Sequence, residues 1–362
     1  MKLDICYFTG TGNSWWAARR LADMAGKDGL TARVRPVTAS WEPKEFSPAH
    51  HDLLGFAYPT HGFCLPWRML KFFLALPRCR ARFFLINNRA GMKFGRVFTP
   101  GISGLAVLLP LLILILKGYR PVGALPLDTP SNWVAVHPGL SPGAVTAIME
   151  RRERDLEKLW KKMSGGHGSF PFKFWVMLPL DILVSPVSVG YMAFGRFLLT
   201  ATYFADAGCD GCGLCASQCP VGAIRIIRGR PLWTIRCESC MRCLNVCPHR
   251  SAHCSLLLAG LYSWGLFWLT GFSGPLGFAW KAMSRLAGDL SDLLLYPAWW
   301  LLTVALAWLL GRLVFFLNRF KALSWLWAVT TPMHFWRRYL APGFLQRRSV
   351  HDSAGMDSKG SL

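Results

Sequence analysis

Two copies of one cysteine pattern, C-x2-C-x2-C-x3-C-P, constrain this chain more than any other feature. The first is Cys209, Cys212, Cys215, Cys219 and Pro220. The second is Cys237, Cys240, Cys243, Cys247 and Pro248, each 28 residues after its counterpart. Three thiolates this close in sequence wrap one face of a cubane, and a fourth reaches across. The alternative is a pair of four-cysteine zinc sites. Those use two C-x2-C pairs split by a spacer, without a closing Cys-Pro. The spacing therefore predicts two [4Fe–4S] clusters. The remaining four of the 12 cysteines, Cys6, Cys64, Cys79 and Cys254, have no partner spacing and read as small buried hydrophobes. Clustered thiols of this kind belong to a reducing compartment.

The N-terminal part reads as a doubly wound α/β domain. Strands are expected at 3–8, 32–37, 53–58, 82–87 and 122–127. A glycine turn, Thr9-Gly10-Thr11-Gly12-Asn13-Ser14, separates the first strand from a helix over 15–25. A last helix over 142–163 takes Ser141 as N-cap, Pro142 as first residue and Gly165-Gly166 as stop. The turn supplies backbone N–H groups and hydroxyls at a helix N-terminus, a cradle for phosphate. It lacks the third glycine of G-x-G-x-x-G and the Gly-Lys of a P-loop, which excludes both of those fingerprints. The first ten residues do not form a signal peptide, so this domain is expected in the cytoplasm.

Hydropathy complicates a purely soluble reading. Hydrophobic residues make up 52% of the 362, charged residues 17%, and the formal charge is +22. Positive charge flanks long apolar runs, which favours membrane lipid over nucleic acid as the partner. The uncharged stretch 97–116 falls where a crossover helix is needed, and is expected to turn an outer face to lipid or an apolar partner. Residues 172–205 read as interfacial helices. The runs 254–280 and 293–316 are long enough to form a transmembrane hairpin. Seven basic residues and no acidic one in 312–348 place the C-terminal tail in the cytoplasm by the positive-inside rule. The expected division is then 1–166 α/β domain, 167–205 apolar linker, 206–252 cluster domain, 253–318 hairpin and 319–362 basic tail.

The strand-TGTGNS-helix opening resembles a flavodoxin. With the tandem cysteine motif behind it, the chain resembles the flavodoxin–ferredoxin fusion proteins of anaerobic bacteria and archaea. The likeness covers about 1–165 and 205–250 and leaves out the apolar C-terminal third. It implies that the fourth cysteine of each run ligates the other cluster. One cluster is then held by Cys209, Cys212, Cys215 and Cys247, the other by Cys237, Cys240, Cys243 and Cys219. It also implies FMN, with its phosphate on Thr9, Gly10, Thr11, Gly12, Asn13 and Ser14. Pro59-Thr60-His61-Gly62-Phe63 would flank one side of the ring system and Asn87-Asn88-Arg89-Ala90-Gly91 the other. Flavodoxins usually carry an aromatic in that second loop. Here Phe63, Tyr58 or Phe94 is expected to stack instead, and Arg89 either faces the flavin or pairs with a carboxylate.

These parts together predict an electron carrier, not a substrate-specific enzyme, anchored at the cytoplasmic face of the membrane. Its partner would be a redox protein or membrane complex. Two alternatives stand beside it: a membrane-bound ferredoxin subunit without flavin, and a reductase of a lipid-soluble acceptor such as quinone entering near 97–116.

Overall fold

The computed structural model describes residues 2–41, 52–261 and 320–344, with isolated positions between 264 and 317. Five parallel strands build the main sheet: β1 (Lys2–Tyr7), β2 (Thr31–Pro36), β3 (Leu53–Pro59), β4 (Arg82–Phe94) and, after the short β5 (Val97–Thr99), β6 (Arg120–Pro130). Their order is β2-β1-β3-β4-β6, which is the flavodoxin-like doubly wound order. The central strands are buried on both faces, as a parallel sheet requires. β3, LLGFAYP, is buried from Leu53 to Tyr58.

Helices α1 (Asn13–Lys27), α2 (Trp67–Ala75), α3 (Leu105–Leu116) and α4 (Pro142–Ser164) make the crossovers and the closing layer. α4 begins as its sequence dictates. Ser141 Oγ accepts from the Ala144 N–H at 3.3 Å and Pro142 opens the first turn. Residues alternate between two cores. Leu3, Ile5, Phe84, Ile86 and Leu127 pack under α1 and α4. Phe56, Tyr58, Phe83 and Leu85 pack under α2 and α3. The second core continues unbroken into the cysteine region through Trp233, Leu244 and Met333.

The stretch 97–116 divides in two. Val97–Thr99 pairs antiparallel with the end of β4, and the helix starts only at Leu105, because Gly101 and Gly104 interrupt the run. Leu112, Ile115 and Leu116 of α3 are exposed. The segment after α4 forms three short pieces, α5 (Phe172–Leu183), α6 (Ser185–Gly190) and α7 (Arg196–Ala201), with a π turn at Tyr191–Gly195. Phe172–Leu183 and Ser185–Ala201 are together apolar enough to span a bilayer but bend by 64° at their junction. Among the described residues no single helix is long and apolar enough to cross a membrane. The expected spans at 254–280 and 293–316 fall almost entirely outside the described residues.

The cysteine region is framed by two antiparallel pairs. β7 (Tyr203–Ala205) pairs with β10 (Ala252–Cys254), and β8 (Ile224–Ile227) with β9 (Arg230–Trp233). The domain therefore runs from 203 to 254, a few residues beyond the expected 206–252 at each end. Its hairpin turns on Arg228 and Gly229, both at positive φ. Arg230 and Pro231 already belong to β9. The basic tail is not a free extension. A helix at Lys321–Val329 leads into 332–344, which lies across both domains.

Candidate functional site

The carboxyl ends of β1, β3 and β4 converge on one cleft, where ligands of open α/β sheets bind. It encloses about 710 Å³ of atom-free space and is lined by Thr9, Gly10, Thr11, Asn13 and Ser14 from the first loop. Pro59, Thr60, His61 and Gly62 line it from the second loop, and Asn88, Arg89 and Ala90 from the third. Of the sixteen residues expected there, Gly12, Phe63, Asn87 and Gly91 do not line the cleft. Gly12 instead caps α1 and brings no side chain to its first-turn N–H groups. Phe63 supplies a carbonyl that accepts from Ser188 Oγ at 2.6 Å, and Asn87 Oδ1 accepts from Thr60 Oγ1 at 3.0 Å.

The loop hydroxyls are tied to neighbouring asparagines. Ser14 Oγ accepts from Asn88 Nδ2 at 3.0 Å and Thr11 Oγ1 from Asn132 Nδ2 at 2.8 Å. The Gly12 N–H donates to Thr9 Oγ1 at 2.9 Å. Several buried polar atoms here have no protein partner: His61 Nδ1, Asn87 Nδ2 and Asn88 Oδ1. Orphaned donors and acceptors beside a hydroxyl-rich helix N-terminus suit a polar, phosphate-bearing ring ligand.

Arg89 does not face the cleft as a free cation. It is fully buried, its Nε donates to Asp128 Oδ1 at 2.9 Å, and its Nη2 forms an ion pair with the same oxygen at 2.8 Å. Asp128 also meets Arg152 and Lys173. Burial pulls the Arg89 guanidinium down to about 10, so it stays charged at neutral pH.

The aromatic question resolves differently from expectation. Tyr58 is buried with its hydroxyl on the Ala106 carbonyl at 2.9 Å, and Phe94 is exposed. The rings that line the cleft are Trp133, in the loop after β6, and Tyr191, in the π turn. Trp133 obeys the same strand-end rule as the other loops and was findable. Tyr191 sits in an apolar linker that carries no such signal. It packs so closely on Gly62 that any side chain there would collide with its ring.

His61 is held neutral. Burial pulls its pKa from the usual 6.5 to about 4. Between those values the unfolded chain binds a proton that the folded chain does not, so this contribution to stability is lost as pH falls from 6.5 towards 4. His61→Gln should therefore flatten the acid limb. The difference between urea midpoints at pH 7 and pH 5 should be smaller in the variant than in the parent.

The eight motif cysteines separate into the two expected sets. Cys209, Cys212, Cys215 and Cys247 line one common hollow. Cys219 instead sits among Cys237, Cys240 and Cys243, close enough to raise the pKa of each electrostatically. No three His, Cys, Asp or Glu among the described residues close on a single metal ion. Sulfurs of the second set already accept hydrogen bonds. Ala223 N–H donates to Cys219 at 3.2 Å and Trp233 Nε1–H to Cys243 at 3.3 Å. Burial pushes the Cys237 thiol up to about 11 and Cys240 to about 12, so cluster loading must release protons. The other four cysteines are buried, as expected.

Residues 208–252 match the family model described as the 4Fe-4S dicluster domain. The cysteine region is a dicluster iron–sulfur domain. No curated protein matches the chain. Among solved structures, a mutant of flavodoxin from Pseudomonas aeruginosa is 20% identical, covering 43% of this chain and 97% of that one, TM-score 0.30. A flavodoxin from the domain Archaea is 13% identical over 44% and 99%, TM-score 0.27. General stress protein 14 of Treponema denticola, in complex with FMN, is 15% identical over 44% and 98%, TM-score 0.29.

The two domains meet at the cleft itself. Ser239, Cys240 and Met241 line it together with the first loop. Gly10 packs so tightly on Cys240 that a Cβ would collide with the Cys240 carbonyl. Arg242, itself buried, donates from Nε to the Gly10 carbonyl at 2.6 Å and from Nη2 to that of Thr9 at 3.0 Å. Glu238 accepts the Trp67 and Arg68 N–H groups at 2.8 Å each, capping α2 from the other domain.

Proposed function

We propose that the chain is an electron-transfer protein in which FMN occupies the cleft and exchanges electrons with the cluster held by Cys237, Cys240, Cys243 and Cys219. One observation carries this reading: Cys240, a cluster ligand, lines the same cleft as the phosphate-type loop. FMN accepts two electrons and releases them singly, whereas each cluster carries one. The protein's own part is positional. Gly10 and Arg242 hold the cysteine loop against the cleft, and Asn88, Asn132 and His61 offer polar groups to its ligand. Trp133 and Tyr191 supply aromatic walls.

The second cluster, with its ligands Cys212 exposed and Cys209, Cys215 and Cys247 half-buried, extends the path to the surface. The protein sits at the cytoplasmic face of the membrane in this reading. The exposed Phe172, Trp175, Ile182, Leu183 and Val187, the uncharged runs at 254–280 and 293–311, and the basic stretch 312–348 support that placement. Protein purified without oxygen from the membrane fraction in mild detergent should contain flavin, iron and acid-labile sulfide in a ratio of about one to eight to eight. About eight iron with no flavin would leave a ferredoxin with an empty first domain, and recovery without detergent would remove the membrane from the scheme.

A further inference from the structure

Electrons that reach the outer cluster must leave the chain, and the surface beside its ligand Cys247 has a definite character. A broad groove of about 1030 Å³ runs between the start of α4 and the segment 337–340. Cys247 and Pro248 form part of its wall, Val145 and Leu340 part of its apolar floor. Three arginines border it: Arg250, Arg337 and Arg338. No carboxylate is found among the described residues that line it. Arg338 is committed to the fold, donating to the Arg250 and Ala252 carbonyls at 3.2 and 3.3 Å. Arg250 and Arg337 are exposed. Two acidic side chains of the cluster domain that do not line it are paired with histidines: Asp210 with His249 at 3.0 Å, and Asp206 with His253 at 2.9 Å.

We propose that this groove is the docking site for an acidic electron-carrier protein, which exchanges single electrons with the cluster of Cys209, Cys212, Cys215 and Cys247. An apolar floor inside a ring of one charge sign fits a transient redox encounter. The charge steers approach, and the floor lets the partner's cofactor come close to Cys247. One electron passes from reduced cluster to oxidised carrier, so the cluster is oxidised and the carrier reduced by one, and no bond is made or broken. The proposal rests on the electron-transfer reading, but only on its iron–sulfur half.

The test uses the full chain with both clusters reduced by dithionite, mixed in stopped flow with an acidic plant-type [2Fe–2S] ferredoxin or with basic horse cytochrome c. Transfer to the acidic ferredoxin should slow on raising the salt, and the double variant Arg250→Glu/Arg337→Glu should slow it about tenfold at low salt. The same variant should speed transfer to cytochrome c. Lys161→Glu/Lys162→Glu makes the same change in net charge roughly 25 Å away along α4 and should have little effect. Iron content and cluster EPR must match the parent in both variants. Equal slowing by the two variants would show steering by net charge alone and overturn the site. So would transfer to the acidic ferredoxin that does not slow on raising the salt. Flavin content, measured on the same preparations, reports separately. A chain without flavin that still shows the charge pattern would end the flavin reading and leave the docking site standing.

Discussion

Cys240→Ala should remove the inner cluster and leave the outer one. Iron would fall from about eight to about four per chain, and one of two cluster signals would vanish from the EPR spectrum of the reduced protein. The reasoning is local. Cys240 belongs with Cys237 and Cys243, buried as it is, and with the half-buried Cys219, and shares none of its partners with the set around Cys247. The expected loss extends beyond iron. Cys240 is also the ligand that faces the cleft, so electrons entering there would have to cross directly to the outer set, and transfer should slow by orders of magnitude. Cys212→Ala supplies the counterpart. It removes the exposed cluster, leaves the cleft and its neighbour intact, and should preserve fast transfer between them. If Cys219→Ala abolished the signal lost in Cys212→Ala and not the one lost in Cys240→Ala, the crossed ligation would be wrong. If flavin-to-cluster transfer survived Cys240→Ala at full rate, the cleft would not be the entry.

Gly10→Val should uncouple the two domains. Most glycines in loops serve backbone conformation, but Gly10 serves contact, since its missing Cβ leaves room for the Cys240 carbonyl. Backbone on both sides must move to admit a side chain, and overpacking of this sort costs about 1–3 kcal/mol and sometimes more. Displacing the loop also breaks the Arg242 bonds to the Thr9 and Gly10 carbonyls, so a buried guanidinium would lose two of its partners. Flavin content should drop and proteolysis between the domains should quicken, while iron content holds, because all eight cysteine ligands are retained. Gly10→Ala should change both in the same direction. A Gly10→Val protein with full flavin and parental proteolysis would show that the contact is loose in solution.

Much of this architecture is legible in the residues themselves. The strand positions follow from short apolar runs, α4 from its Ser-Pro start, and the cluster sets from the Cys-Pro spacing. What escapes is relation. Nothing local to Gly10 or Cys240 announces that they meet, since 230 positions separate them. Trp133 follows a strand end and is recoverable by rule, but Tyr191 reaches the cleft only because α5 and α6 dock first. Asp181 anchors that docking by accepting the Ser103 and Gly104 N–H groups at 2.8 Å each. A single aspartate in an apolar stretch reads as an interruption until the helix terminus that it caps is known. The basic residues of 312–348 misled in one respect. Charge asymmetry reports which side of a membrane a segment favours, not whether it folds back onto a domain.

That return of the chain has a consequence for how the protein is made. Tyr339 donates from its hydroxyl to Asn13 Oδ1 at 2.6 Å across 326 positions, and the Ala341 N–H donates to the Thr11 carbonyl at 2.8 Å. The loop after β1 is thus finished by residues synthesised more than 320 positions after it. The α/β sheet can form early, domain by domain, but its nucleotide-type loop stays open until residue 344 is free. Maturation is therefore timed by synthesis of the chain. Cluster assembly can begin once the cysteine region has emerged, whereas closure of the cleft waits for residues 339–344.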